Sequence, residues 1–231
     1  MSLPPFTLIF LVFVFLSFGF GLWLSLRHMD HVRAHRDAVP AEFADAITLE
    51  AHQKAADYTL ARKQIGLFES GVEVILLLCL TLGGGIYLIS QYASALVSHP
   101  YAVGLAIFAG LMVVSSLVSM PFDLYRTFVI EARFGFNKMT WKLYLIDMFK
   151  GLLLGAAIGV PLLLLVFWLM ERMGGLWWLY VWLVWLAFSL VMLAIYPNFI
   201  APLFNKFNPL TDASLKTRIK TLLTRCGFTS S

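Results

Sequence analysis

The sequence predicts an all-α fold: a polytopic membrane protein with five transmembrane helices and additional amphipathic cytoplasmic helices. Composition is the first reason, because 60% of the residues are hydrophobic and 13% are charged, with a mean hydropathy of +0.83, whereas soluble domains carry about 25% charged residues. The second reason is five apolar runs long enough to cross the hydrocarbon core of a bilayer, which is about 30 Å thick. We place these spans at about 5–26, 66–92, 101–122, 151–170 and 176–196.

The first span, 5–26, reads as a retained helix rather than a signal peptide. No basic residue precedes it, and no small-x-small cleavage site occurs before Arg27. The polar connector 27–65 follows, with six Lys/Arg and six Asp/Glu. Apolar and small residues recur there at helical spacing, which predicts an amphipathic helix within the connector: Phe43, Ile47, Ala51, Ala55 and Tyr58.

The fourth span, 151–170, contains no charged residue. Gly151, Gly155 and Gly159 share one helical face, so a neighbouring helix is expected to approach closely there. Pro161 predicts a kink just beyond that face. The fifth span begins with a group of aromatic residues that is typical of a membrane-interface belt: Trp177, Trp178, Tyr180, Trp182 and Trp185.

Basic residues outside the spans alternate along the chain. There are none before the first span, six in 27–65, none between the second and third spans, five in 123–150, one between the fourth and fifth spans, and five after 196. The positive-inside rule then places the N-terminus outside and the connectors 27–65 and 123–150, with the C-terminus, in the cytoplasm. We expect an integral protein of the bacterial cytoplasmic membrane.

The chain after the fifth span divides into a proline-containing lead-in and an amphipathic helix. Thr211 or Asp212 is the predicted N-cap and Gly227 the predicted stop. The apolar stripe comprises Leu215, Ile219, Leu222, Leu223 and Cys226, and the other face is basic. This helix either lies on an anionic leaflet or begins a cytoplasmic domain. We therefore divide the chain into a membrane domain, 1–196, and a cytoplasmic segment, 197–231.

Ionisable residues mark the cytoplasmic ends of three spans: Glu69, Glu73, Asp123, Arg126, Asp147 and Lys150. Groups at such depth usually face the bundle interior, paired with one another or beside water. Two interpretations stay open. The residues form interfacial pairs that fix helix register, or they line a hydrated cavity that opens to the cytoplasm.

The residues alone predict no complete catalytic or metal site. His31 and His35 lie one turn apart after His28, but Val32 stands where a zinc protease of the H-E-x-x-H type has its glutamate. A solvated segment beside the membrane is the favoured interpretation. Cys79 and Cys226 are expected to be free thiols. No basic stripe suits nucleic acid, so no nucleic-acid partner is expected.

Three segments carry a resemblance to a known family: ITLEAHQKAADYT (Ile47–Thr59), EARFGFNKMTWKLYLIDMFK (Glu131–Lys150) and YPNFIAPLFNKFNPL (Tyr196–Leu210). In this order they resemble the N-terminal membrane region of the CAAX prenyl protease 1 family, integral-membrane zinc metalloendopeptidases. The resemblance extends through essentially the whole chain. It implies helices around an intramembrane chamber with zinc at its cytoplasmic side. The zinc ligands would be the two histidines of an H-E-x-x-H helix and a later glutamate, and the glutamate of that motif would activate a zinc-bound water.

By this resemblance the H-E-x-x-H motif falls after Ser231, so no catalytic residue, metal ligand or cofactor is assigned within the chain, and zinc is expected only for the full-length family member. The implied partners are the lipid bilayer, a missing C-terminal protease domain, and peptide or prenylated protein substrates. A hinge between the third and fourth helices is assigned to Glu131, Arg133, Phe134, Gly135, Phe136 and Asn137. A rigid lead-in to the protease domain is assigned to Pro197, Pro202, Asn205 and Lys206. Helix capping and loop packing explain these residues equally well.

Two other functions remain as alternatives. The first is a non-enzymatic membrane scaffold that binds lipid or a partner through its basic tail helix. The second is a transporter or channel subunit that uses Glu69, Glu73, Asp147 and Lys150 as an ion path. The sequence lacks the paired broken helices and the inverted repeat expected of a transporter, which disfavours the second alternative.

Overall fold

The computed structural model describes residues 4–205 and 210–227, and these residues contain seven α-helices and no β-strand. Five of the helices are long and apolar enough to cross a membrane, so the predicted all-α class with five spans is confirmed. Contacts divide the chain into two compact units, Met1–Leu164 and Leu165–Ser231. The helices are α1 (Pro5–Ala34), α2 (Leu49–Thr81), α3 (Gly85–Leu96), α4 (Pro100–Tyr125), α5 (Trp141–Arg172), α6 (Trp177–Ile195) and α7 (Ala213–Arg225).

The first helix is longer than its predicted span. Pro5 stands at the first helical position, where its missing N–H leaves no hydrogen bond unmade. The helix then runs past Leu26 to Ala34, so the first charged residues of the predicted connector are helical. Met29 in this extension is buried.

The second helix joins two elements that were predicted separately. Thr48 caps it by accepting a hydrogen bond from the Ala51 N–H at 3.2 Å, and the helix then continues without a break to Thr81. Phe43 and Ile47 therefore lie outside the helix, and Phe43 ends a short 3₁₀ turn, Ala41–Phe43. The helical connector and the apolar run merge because nothing between them breaks a helix.

The predicted second span, 66–92, is divided after Thr81. Gly84 adopts a φ of +76°, which L side chains rarely tolerate. A Cβ on Gly83 would lie 2.6 Å from the Cys79 carbonyl oxygen, so only glycine fits there. Three successive glycines thus turn the chain into α3, which packs closely on α4: a Cβ on Gly110 would lie 2.8 Å from Ile89 Cγ2.

The fourth helix continues beyond its predicted end at residue 122. It passes into a π-helical turn, Arg126–Glu131, and a last α-turn, Ala132–Phe134. Gly135 ends it with a φ of +78°. The Gly135 N–H donates to the Ala132 carbonyl at 3.1 Å and the Phe136 N–H to the Glu131 carbonyl at 2.8 Å, which is a Schellman motif.

The fifth helix begins ten residues before its predicted span, so Asp147 and Lys150 lie inside it. It continues through Pro161 as one helix. The glycine face expected to receive a neighbour is open, because a Cβ on Gly151, Gly155 or Gly159 would meet no atom of the described first unit within 4 Å.

The second unit contains α6 and α7. The helical path of α6 does not end at Tyr196 but continues through a π-helical turn, Tyr196–Ile200, and the turn Ala201–Phe204. Pro197 lacks the N–H of a regular α-helix, and the wider turn accommodates it. Asp212 caps α7, and Gly227 follows its end with a φ of +79°, as predicted.

Candidate functional site

An ion-pair group joins α2 to α4 within the first unit. Arg126, at the start of the π-helical turn, donates hydrogen bonds to Glu69 of α2 and, at 3.1 Å, to Asp123 of α4. The Arg126 side chain is 25% exposed and the Glu69 side chain 18%. Three of the six ionisable residues predicted to gather therefore do so. The wide turn places the guanidinium between two carboxylates.

Glu73 lies one turn beyond Glu69 on α2 and lines two cavities. The larger is a cleft of about 1200 Å³ between α1 and α2, which Arg126 also lines. The smaller, about 340 Å³, lies between α2 and α4 and contacts both Glu69 and Glu73. Ion pairing and a cavity thus occur together, although the sequence presented them as alternatives.

Asp147 and Lys150 form a separate pair on α5. Lys150 Nζ lies 3.5 Å from Asp147 Oδ1, three residues away on the same helix. The start of α5 instead meets the π-helical turn through aromatic rings, since Trp141 stacks on Phe128 with centroids 3.9 Å apart. The expected single group of six residues is therefore divided between two places.

A second polar group ties the end of α1 to the start of α2. Arg36 donates two hydrogen bonds of 2.8 Å to the two carboxylate oxygens of Asp57. Gln53 donates to Asp37 at 3.0 Å, and a ring nitrogen of His52 lies 2.9 Å from the His35 carbonyl oxygen. The hydrogen bonds that the guanidinium donates to Asp57 raise the pKa of Arg36 further above its usual range. We refer to this group as the α1–α2 clasp.

Sequence reasoning missed the clasp, because its charged residues were assigned to a solvated connector. One sequence feature could have indicated the clasp: residues 27–65 contain equal numbers of acidic and basic residues. A connector with balanced charge is compatible with ion pairs between its own residues as well as with solvation. Spacing within one helix could not identify the Arg36–Asp57 pair, since Arg36 lies in the turn after α1 and Asp57 lies on α2.

The turn after α4 packs on α2. The Tyr58 ring meets Phe134 and Phe136 edge-on, at centroid distances of 5.4 and 4.9 Å. Phe134 is buried, and Lys54 Nζ lies 5.8 Å from the centre of the Phe136 ring. Two of the three segments that carried the family resemblance are therefore in direct contact.

The remaining residues assigned to the hinge have local contacts in the same turn. The Glu131 carbonyl accepts the Asn137 N–H at 3.1 Å, and Asn137 Oδ1 accepts the Met139 N–H at 2.6 Å. The Arg133 guanidinium lies 5.8 Å from the centre of the Phe134 ring. These bonds hold a compact turn, and a hinge motion stays a prediction.

The assigned lead-in belongs to the second unit. Pro202 lies in the turn Ala201–Phe204, and the Asn205 N–H closes that turn on the Ala201 carbonyl at 3.0 Å. Lys206 lies outside the described residues.

The described residues do not fit a zinc site. His31 and His35 have ring centroids 4.1 Å apart, and His35 Nδ1 lies 2.8 Å from the His31 carbonyl oxygen. Across residues 4–205 and 210–227, no group of three or more His, Cys, Asp or Glu side chains is placed to hold a metal ion. Cys79 and Cys226 are both exposed free thiols.

Comparison with known proteins gives the family. The family model described as "CAAX prenyl protease N-terminal, five membrane helices" matches residues 28–206. The chain belongs to the CAAX prenyl protease family. Among its relatives, a CAAX prenyl protease 1 homolog of Caenorhabditis elegans is 36% identical over 90% of this chain and 46% of its own length. The CAAX prenyl protease 1 of Saccharomyces cerevisiae is 30% identical over 97% of this chain and 51% of its own length.

A solved structure agrees with this family assignment. The crystal structure of S. mikatae Ste24p is 31% identical, with a TM-score of 0.84 over 98% of this chain and 53% of the other. The chain thus spans about half the length of these CAAX prenyl proteases. The relatives named here are eukaryotic, so they lend no support to a bacterial membrane.

Proposed function

We propose that the chain forms the membrane wall of a CAAX-type zinc metalloendopeptidase. In this proposal its helices surround a cytoplasm-facing site that cleaves membrane-associated or prenylated proteins. The observation that carries the proposal is the cleft of about 1200 Å³ between α1 and α2, lined by both Glu73 and Arg126. Charged side chains at membrane depth are costly toward lipid, and they are typical of interior paths and sites.

The residues of this chain have two tasks in the proposal. The ion pairs of Arg126 and the α1–α2 clasp hold three helices in fixed register, and the cleft accepts part of the substrate. Zinc and its activating glutamate belong to an H-E-x-x-H segment outside the described residues. When bound there, zinc supplies a water of lowered pKa as the nucleophile.

We further propose the orientation that the basic residues predict. The connectors 27–65 and 123–150 face the cytoplasm, and the N-terminus lies on the other side of the membrane. Support comes from the alternation of Lys and Arg between successive connectors, which sets orientation in helical membrane proteins.

The test compares two proteins made from the gene: the 231-residue chain, and the chain with whatever coding sequence follows Ser231. Cleavage of a farnesylated CAAX peptide and bound zinc are measured for both. We expect an H-E-x-x-H motif in the longer protein, with bound zinc and peptide cleavage, and neither in the shorter one. Glu73→Gln in the longer protein should slow cleavage without releasing zinc. A gene that ends at Ser231 with no protease encoded beside it, or a longer zinc-loaded protein that leaves the peptide intact, would contradict the proposal.

One observation favours a second candidate, a membrane scaffold. Helix α7 exposes its apolar residues Leu215, Ile219 and Leu222 by 41%, 43% and 62% beside a basic face. Such a face suits a partner helix. A scaffold would be stable, free of zinc and proteolytically silent, and Leu222→Glu would abolish its capture of a defined partner protein.

A further inference from the structure

We infer that the cleft between α1 and α2 holds one anionic glycerophospholipid, with its phosphate at Arg62 and Lys63 and an acyl chain along α1. The inference does not depend on the protease proposal. It rests on the space between the helices, the length of the cleft and the placement of charge along it.

The cleft between α1 and α2 stays open, although glycines line it on both helices. Gly21 of α1 and Gly66 of α2 both face the cleft, and a Cβ on either would meet no atom within 4 Å. Small residues between membrane helices normally allow the backbones to touch. Here the clasp joins the helices at one end, and the small residues widen the gap along the rest. A volume of about 1200 Å³ is larger than that of most ligand pockets, which occupy about 300–1000 Å³.

The length of the cleft matches one leaflet of a bilayer. Its lining on α1 extends from Phe10 to Ser25, which corresponds to about 22 Å at 1.5 Å per helical residue. Half of a bilayer with its headgroups is about 20–22 Å. One lipid molecule therefore has the right length to lie along α1.

The two ends of the cleft differ in chemistry. The clasp joins the end of α1 to the start of α2, so the helices are antiparallel and Phe10 lies at the end opposite Arg62 and Lys63. The end near Phe10 is apolar, with Phe13 and Val14 on the same helix, whereas the other end contains Ser25 and Thr59. An acyl chain fits the first end and a headgroup the second.

The polar end is basic, which selects an anionic headgroup. Arg62 Nη1 donates to the Tyr58 hydroxyl at 3.2 Å, and its guanidinium lies 5.6 Å from the centre of the Tyr58 ring, so the charge is held at the rim. Lys63 is exposed and has no hydrogen bond or ion pair to any residue that the structure describes. Deeper in the cleft, Arg126 is already balanced by Glu69 and Asp123, and Glu73 adds a further carboxylate. The uncompensated positive charge therefore lies at the mouth.

The test titrates the purified 231-residue chain in detergent micelles with phosphatidylserine and counts bound lipid by native mass spectrometry. We expect one tightly retained molecule. The double variant Arg62→Gln/Lys63→Gln should bind it about thirtyfold more weakly, because each basic residue near an anionic lipid contributes about fivefold. Lys138→Gln/Lys142→Gln is the matched control, since both lysines are exposed and lie outside the cleft, and it should bind as the unmodified chain does.

A second pair of variants tests the space itself. Gly21→Leu fills the cleft and should reduce phosphatidylserine binding at least tenfold. Gly151→Leu adds the same side chain at an equally open helical position outside the cleft, and it should have no effect. Unchanged binding in the Arg62/Lys63 variant would overturn the inference. So would equal affinity for phosphatidylcholine or displacement of the lipid by inorganic phosphate.

Discussion

Arg126 shows how one side chain secures two membrane helices. It satisfies Glu69 and Asp123 together, so its loss leaves two carboxylates without their cation. Removing one member of a partly desolvated ion pair costs more than the pair contributes, because a charge stays behind in a poor environment. The sequence predicted that these groups share one half of the bundle. It could not predict the partners, because pairing across helices depends on the rotation of each helix about its axis.

We expect Arg126→Gln to lower the free energy of unfolding by about 2 kcal/mol, near the upper end of polar interactions measured within membranes. Unfolding is followed by titration with sodium dodecyl sulfate in mixed micelles. Arg33→Gln is the control, because the Arg33–Asp30 pair, at 2.9 Å, is exposed and should contribute less than about 0.5 kcal/mol. Equal losses in the two variants would show that Arg126 has no special role.

The N-cap carboxylate of Asp212 should make the stability of the first turn of α7 depend on pH. Hydrogen bonds from the Leu215 and Ser214 N–H groups to the carboxylate lower the pKa of Asp212 below its ordinary value of 3.8. A lowered folded-state pKa means that the cap is fully effective above pH 3.8 and is lost as the pH falls through the folded-state pKa. The first turn of α7 should therefore fray in strong acid, and the amide chemical shifts of Ser214 and Leu215 report this by NMR. Asp212→Asn retains a cap without the titration, so a pH dependence that survives in that variant would refute this origin.

At the scale of elements, hydropathy located the spans better than it located the helix ends. Apolar composition identified all five spans, yet α2 begins at Leu49 and ends at Thr81, whereas the predicted span was 66–92. A hydropathy pattern cannot distinguish polar residues within a continuing helix from polar residues in a loop. It also cannot show a break made by glycines, since Gly83 and Gly84 interrupt an apolar run without changing its polarity.

The left-handed conformation of Gly135, which ends the extension of α4, can be tested directly by substitution. Its φ of +78° ends the extension of α4 and brings Phe136 against Tyr58. Gly135→Ala should cost about 1–2 kcal/mol through left-handed backbone strain, and trypsin should cut more readily at Arg133 and Lys138. Gly159→Ala is the matched change inside a helix, with open space around it, and should be neutral or stabilise by up to about 1 kcal/mol. If both variants are equally stable, the turn does not require a left-handed residue.

At the scale of the whole molecule, the family and the membrane class follow from features that a sequence displays directly. The apolar runs and the segments 47–59, 131–150 and 196–210 were sufficient for both. The clasp and the cleft were not predictable, because each depends on how α1 and α2 approach each other after a connector of irregular structure. A pattern within one helix contains no information about that approach.

A cytoplasm-facing site requires the 27–65 connector and the turn between α5 and α6 to lie on opposite sides of the membrane. In a chain with Cys79→Ser and Cys226→Ser, single cysteines are introduced as Asp45→Cys in the 27–65 connector and Gly175→Cys between α5 and α6. Sealed vesicles with the cytoplasmic face outward are then treated with a maleimide that does not cross membranes. We predict that Asp45→Cys reacts at once and Gly175→Cys reacts only after detergent is added. Labelling of Gly175→Cys, with Asp45→Cys protected until detergent is added, would contradict the orientation and with it the cytoplasm-facing site.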